Sequence, residues 1–202
     1  MLHATPAPGL DEQALPPDAV ARLRVFESLL LHWSARLSLV SAGDRPALWQ
    51  RHILDSLQLL TLLPDDPTPA LDLGSGAGLP GLVLAIAAGI PFHLVDSDRR
   101  KCAFLREAAR VTGASVVIHP SRIEAIPPFP AGLVTCRALA PLPRLLALAA
   151  PFLTPRTICL FPVGRHATLA APEWSFDLEI HSSQTDPSSH ILRLRNIVRA
   201  KL

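Results

Sequence analysis

The densest ligand-binding chemistry in the chain lies in Leu71-Asp72-Leu73-Gly74-Ser75-Gly76-Ala77-Gly78-Leu79-Pro80-Gly81, where an apolar strand runs into three alternating glycines and out into an apolar helix. That is a nucleotide-cofactor loop. Gly74, Gly76 and Gly78 leave out side chains where the backbone turns sharply against a ligand, and Pro80 presets the first turn of a helix whose N-terminus faces the same space. Asp72, just ahead of the glycines, sharpens the reading. A carboxylate there repels a dinucleotide phosphate and attracts the ammonium and sulfonium of S-adenosylmethionine. Asp96, about twenty residues beyond the loop, closes the next apolar run and is placed to accept both hydroxyls of a ribose.

These residues need a sheet to hold them. From Pro69 onward, short β-rich runs alternate with helices: Ala70 to Leu73, Phe92 to Val95, Ser115 to Ile118 and Leu133 to Cys136, with helices at Gly81 to Ala88, Asp98 to Thr112 and Pro143 to Phe152. Further strands are expected at Thr157 to Phe161, Ser175 to His181 and His190 to Ile197, the last two antiparallel. The third connection, through Pro127, Pro128 and Pro130, is expected to be irregular. The fold class is α/β, a mostly parallel seven-stranded Rossmann-like sheet with an antiparallel edge pair. Such a sheet binds its ligand at the carboxyl ends of the strands, which adds Ser121 to Glu124, Cys136 and Arg137 to the candidate site.

Before the sheet, Met1 to Leu15 reads as a short mobile tail with little to do. Pro17-Asp18 offers an N-cap for a helix that ends about Ser38 to Gly43. A second helix starts at Asp44 and Pro46 and runs to Pro64. Residues 1–65 are expected to pack on a cofactor-binding α/β domain of residues 66–202, making one structural unit. The 202 residues are 49% hydrophobic, enough for a full core, and the net charge of +2 gives no strong nucleic-acid or membrane signal. Lys101 and Lys201 are the only lysines, so the positive charge is nearly all arginine, suited to bidentate contacts with phosphate or base edges. Cys102, Cys136 and Cys159 show neither zinc spacing nor a disulfide framework, and no metal site is expected. With no leader and no unbroken apolar span, the chain is expected to be cytoplasmic, with no membrane association.

The chain closely resembles one bacterial family over about Arg22 to Ile197. The resemblance rests on His32-Trp33, Leu39-Val40-Ser41, Arg51-His52-Ile53-Leu54-Asp55-Ser56-Leu57, the Asp72 to Gly81 loop, Val95-Asp96-Ser97, Ser121-Arg122-Ile123-Glu124 and Arg137-Ala138-Leu139-Ala140, in that order and spacing. The family is RsmG, also called GidB, the small-subunit rRNA guanine-N7 methyltransferases. The resemblance implies methyl transfer from S-adenosylmethionine to N7 of guanine 527 of 16S rRNA, leaving S-adenosylhomocysteine. It implies that Gly74 and Leu79 hold the cofactor, that Ile123 and Glu124 lie on its adenine side, and that Arg137 stands where cofactor and substrate meet. His52 and Asp55 are expected on a helix covering the cofactor cleft, with catalysis and packing both open as roles for His52. The expected partner is 16S rRNA or the small subunit, with no stable protein partner and a monomeric enzyme.

Two positions depart from the family. Ser38 stands where an asparagine is usual, and Val163 where a lysine precedes Gly164, a change that Arg165 could offset. Other RNA contacts are expected among Arg51, Arg137, Arg144 and Arg165.

Guanine N7 has a free lone pair and loses no proton on methylation, so the chemistry needs placement rather than a general base. Ile126-Pro127-Pro128-Phe129 has the wrong first residue for an exocyclic-amine methylase, and Cys136 follows Thr135 instead of a proline, reading as a buried strand residue and not a nucleophile. Two other classes stay open. Gly76, Gly78 and Gly81 form G-x-G-x-x-G with Asp96 downstream, the pattern of a nicotinamide oxidoreductase, and a non-catalytic rRNA-binding protein would fit the lost lysine.

Overall fold

The structure, a computed structural model, describes residues 4–6, 15–165 and 167–200. Its central strands are β2 (Ala70–Leu73), β3 (Phe92–Val95), β4 (Val116–His119), β5 (Leu133–Thr135) and β6 (Ile158–Val163), all parallel. β2 and β5 are buried at every residue, as parallel strands covered on both faces must be. β7 (Trp174–Ser182) and β8 (His190–Arg199) complete the expected seven strands as an antiparallel pair, with β8 inside, between β6 and β7.

The N-terminal tail departs from the expectation of an idle segment. Thr5–Pro6 forms a two-residue strand, β1, parallel to β7 at His181 and Ser182, and so covers the last two residues of the outer edge of β7. The rest of the tail before Leu15, residue 4 apart, lies outside the described residues.

The chain runs β2, β3, β4 in one direction across the sheet, then returns to place β5 on the other side of β2. This reversal opens a crevice at the carboxyl ends of β2 and β5, where an open α/β sheet takes its ligand.

Helices cover the two faces. α1 (Pro17–Ser34), α3 (Gly81–Ala88) and α4 (Arg99–Thr112) pack together on one, with Phe26 and Trp33 against the Phe104 ring at centroid distances of 6.2 and 5.7 Å. α5 (Leu142–Ala149) covers the other, burying Leu145 and Leu146 in a cluster with Leu71, Val134 and Phe161. The third connection is irregular as expected, save one 3₁₀ turn at Ile123–Ala125.

The N-terminal helices differ from the sequence reading in detail. Pro16 is the cap of α1 and makes no side-chain hydrogen bond, while Asp18 pairs with Arg22 at 3.1 Å. α1 ends at Ser34, earlier than expected, where the Arg45 guanidinium donates to the Ser34 carbonyl and satisfies one of the acceptors a helix end leaves free. The second helix is a chain of different turns. It passes from 3₁₀ at Arg45–Ala47 through π at Trp49–Leu54 to a single α turn, α2 (Asp55–Leu57), and 3₁₀ again at Gln58–Leu62. A π stretch shifts which side chains share a face, and here it lies immediately before Asp55. Similarly, Pro80 is the residue before α3 and not within its first turn.

Candidate active site

The glycine loop turns in the left-handed region, with φ of +68° at Gly74 and +53° at Gly76. Only glycine adopts that conformation freely. The loop is tied to the neighbouring strand twice: the Ser75 amide donates to the Val95 carbonyl at 2.9 Å, and the Gly76 amide to Asp96 Oδ2 at 2.9 Å. Asp96 Oδ1 accepts from the Asp98 amide at 2.8 Å, so its carboxylate is fixed by backbone on both oxygens while still lining the cleft.

That cleft has a volume of about 600 Å³. Gly74, Gly76, Leu79, Asp96, Ile123, Glu124 and Arg137 all line it, so seven of the nine residues expected to hold the cofactor come together on one wall system. Glu124 is paired across the cleft's rim with Arg144 of α5 at 2.6 Å. Arg122, the closer partner in sequence, is not the one it meets.

Asp72 and Gly78 are the two that do not reach the cleft. Gly78 lies against α3 and α4, where an added Cβ would come within 2.8 Å of Leu82 and 3.1 Å of Leu105. Asp72 is 0% exposed, beneath the loop, with Oδ1 accepting a 2.7 Å hydrogen bond from Thr135 Oγ1 and Oδ2 against the backbone of Gly81. Direct attraction of the cofactor's ammonium by Asp72 is therefore replaced by a role under the floor, linking β2 to β5 and to the start of α3.

Burial pushes the Asp72 carboxyl up to about 6, against the opposing pull of the Thr135 hydroxyl. The folded protein then holds this proton more tightly than the unfolded chain does, so the group favours folding most below pH 4 and loses that contribution as pH rises to 6. Relative to Asp72→Asn, the wild-type protein should gain on the order of 2 kcal/mol of unfolding free energy between pH 7 and pH 4.5. Urea unfolding at both pH values measures it. His52, His93 and His119, whose lowered values favour folding at higher pH, are common to both proteins and cancel. An unchanged difference would show that Asp72 does not titrate in this range.

A second cavity of about 470 Å³ adjoins the first. It has apolar walls from Leu142, Leu145, Phe161 and Ile191 and a polar end at Asp55, Gln58, Ser183 and His190. Val163 and Gly164, the position of the missing lysine, are on its lip, beside exposed Arg165. The two cavities share only Arg137, Ala138, Leu139 and Ala140, which form the partition between them.

Arg137 is held at the head of that partition. Its Nη1 donates to Asp55 Oδ2 at 3.3 Å and its Nη2 to His52 Nδ1 at 3.2 Å. A guanidinium has no acceptor, so His52 Nδ1 must be the bare nitrogen, and the imidazole proton sits on Nε2, facing Asp44 Oδ2 at 3.7 Å. Burial, then the Arg137 charge, hold His52 below the usual histidine value, so the ring is neutral at pH 7. His52 lines neither cavity and touches the site only through Arg137. Of the two roles open for His52, the geometry favours packing and positioning: the neutral ring stands behind Arg137 and borders neither cavity.

Asp55 lines the second cavity and not the cofactor cleft. Its Oδ1 accepts from Gln58 Nε2 and Thr185 Oγ1, both at 2.8 Å. Gln58, 1% exposed, further accepts from the Gln184 amide at 2.9 Å through Oε1. Gln58, Ser183 and Thr185 are supports of Asp55 that sequence reasoning missed, because Ser183 lies 125 residues from Gln58 and Thr185 lies 130 from Asp55, and the three match no motif. The thiols of Cys136 and Cys159 are buried and pushed upward by burial, which leaves no activated nucleophile there.

A mostly parallel sheet, a glycine loop tied to a carboxylate that closes the next strand, and a second cavity sharing a wall with the first are the frame of an S-adenosylmethionine-dependent methyltransferase. The family profile described as rRNA small subunit methyltransferase G (GidB) matches residues 19–192, and the chain belongs to that family. It is 46% identical over 196 residues to the ribosomal RNA small subunit methyltransferase G of Paramagnetospirillum magneticum, covering 95% of this chain and 96% of that one. It is 50% identical over 185 residues to the protein of the same name from Acidiphilium cryptum, covering 88% and 85%. Among solved structures, the fold is shared with a mutant of MtNAS in complex with S-adenosylmethionine at a TM-score of 0.59 and 13% identity, over 88% of this chain and 76% of that one. It is also shared with M. jannaschii TYW2 in complex with AdoMet, at a TM-score of 0.50 and 14% identity, over 65% and 68%. The family sets aside the nicotinamide reading of the glycine loop. No helix among the described residues is long and apolar enough to cross a membrane.

Proposed function

We propose that this chain methylates N7 of a guanine in small-subunit rRNA, guanine 527 of 16S rRNA, with the cofactor in the larger cavity and the guanine in the smaller. The observation that carries this reading is the shared partition: two cavities of suitable size meet along Arg137 to Ala140, with the fixed Arg137 at its head. One copy of the chain, in the cytoplasm, contains every group that the reading requires.

The residues present fit the cofactor. Asp96 offers fixed acceptors for ribose hydroxyls, Ile123 and Glu124 border the adenine end, and Gly74 and Gly76 form a floor without side chains of its own that runs toward Leu79 and Arg137. S-adenosylmethionine supplies a methyl group on a cationic sulfur and departs as S-adenosylhomocysteine. N7 attacks with its own lone pair, so the protein takes no proton. Its residues orient: apolar Phe161, Leu142 and Leu145 enclose the base, and Arg137 is held where it can donate to guanine O6 beside N7. Positive charge passes to the base during transfer. The Asp55 carboxylate, 3.3 Å from Arg137, offsets the guanidinium so that this charge does not meet an uncompensated cation.

The test is incubation with methyl-labelled S-adenosylmethionine and small subunits lacking the modification, followed by N7-dependent strand cleavage. Label at guanine 527 is the expected result. Label at another base would overturn the specificity, and cofactor binding without transfer to rRNA or subunits would overturn the RNA half of the reading.

A further inference from the structure

Leu139 is 40% exposed, an unusual state for a leucine in the centre of a site, and it lines both cavities. Its side chain lies directly on the glycine loop: a Cβ at Gly74 would meet Leu139 Cδ1 at 2.8 Å and Cδ2 at 3.3 Å. Anything laid across Gly74 therefore meets Leu139 first. The residue before it, Ala138, has a φ of +53°, one of only two non-glycine residues in the left-handed region among the described residues. An L-residue there is strained by its own Cβ. The ends of the segment are fixed, Arg137 by Asp55 and His52, and Pro141 as the cap of α5. Between these posts lies a short piece of chain with one strained joint and one apolar side chain over the cofactor floor.

We propose that Leu139 is a gate between the two cavities, that cofactor binding displaces it from Gly74, and that Ala138 is the hinge, leaving its left-handed conformation as the gate moves. The inference rests on the cofactor and base assignments above and adds an order: the cofactor enters first, and by moving Leu139 it opens the wall of the base cavity. Strain at Ala138 biases the gate toward release, so that displacement costs the cofactor little. By reciprocity, whatever cofactor binding does for RNA affinity, RNA binding does for cofactor affinity.

The experiment uses the full chain and S-adenosylhomocysteine, measuring its Kd by calorimetry and the Kd of an rRNA fragment carrying the target guanine with and without it. In the wild-type protein, S-adenosylhomocysteine should tighten RNA binding by about fivefold or more. Ala138→Gly relieves the left-handed strain, so it should raise the melting temperature of the protein alone and weaken S-adenosylhomocysteine by about fivefold. Leu139→Ala removes the obstruction. It should bind S-adenosylhomocysteine more tightly than wild type and bind RNA equally with or without it. Opposite signs for two adjacent substitutions are what a packing role would not give. If RNA affinity is indifferent to S-adenosylhomocysteine in the wild-type protein, or if Ala138→Gly is stabilised with unchanged S-adenosylhomocysteine affinity, the gate is overturned while the function stands. A wild-type protein that binds no S-adenosylhomocysteine overturns the functional reading and the gate with it.

Discussion

Arg137→Ala lowers the rate of methyl transfer about a hundredfold, equivalent to about 3 kcal/mol, the scale found when one preorganised donor is removed from an active site. The expected loss is large because the guanidinium serves three neighbours at once. It heads the wall between the cavities, neutralises Asp55 at 3.3 Å and supplies the donor to His52 Nδ1 at 3.2 Å. Single-turnover transfer from labelled S-adenosylmethionine measures the first effect. The histidine reports the last: after burial, Arg137 is the next cause holding its value down, so in the alanine protein His52 should titrate at higher pH, followed by the NMR shifts of its ring. Arg137→Lys restores charge but not the two-pronged geometry, and should recover the His52 titration more fully than the rate. Transfer at the wild-type rate by Arg137→Ala would remove Arg137 from the reaction.

Gly81→Ala should destabilise the fold by about 3 kcal/mol, the upper end of what overpacking a core costs. An added Cβ there would stand 2.6 Å from Asp72 Cβ and 2.8 Å from Cγ, atoms of a strand that cannot yield. Gly113→Ala is the matched control. Its φ is +67° but nothing lies within 4 Å, so only the left-handed strain applies, on the order of 1 kcal/mol. Urea unfolding of both proteins decides the matter. Equal losses would mean that α3 can move away from β2 without cost.

The cofactor half of the site was legible because it is local. Glycines with positive φ, a carboxylate closing the next strand, and runs of apolar residues are each written within a few adjacent positions, and the seven strands followed from them. What was not legible is what depends on direction or distance. Asp72 has the composition of a cofactor contact, but its place in β2 turns it to hydrogen-bond Thr135, a partner 63 residues away. The π stretch at Trp49–Leu54 carries the same apolar spacing as an α-helix, so its re-aiming of Asp55 leaves no trace in periodicity. The second cavity is assembled from α2, β6, α5 and the turn before β8, and no motif spans them. Thr5–Pro6 is too short to carry any strand signal, and pairs only because β7 has a free edge.

The bonds from Asp55 and Gln58 to Ser183, Gln184 and Thr185 also set a timetable for the chain's own synthesis. Emerging from the ribosome N-terminus first, the polypeptide can pair β2 with β3 and β4 early, yet Arg137 cannot be fully buttressed until the last fifth of the chain has appeared. β8 must then insert between β6 and β7, a closure over a long loop that is slow by nature. A nascent or truncated chain lacking β8 would thus hold a formed glycine loop beside an unfinished substrate wall. Cofactor binding and methyl transfer would be acquired at different moments of one protein's birth, the second only on completion.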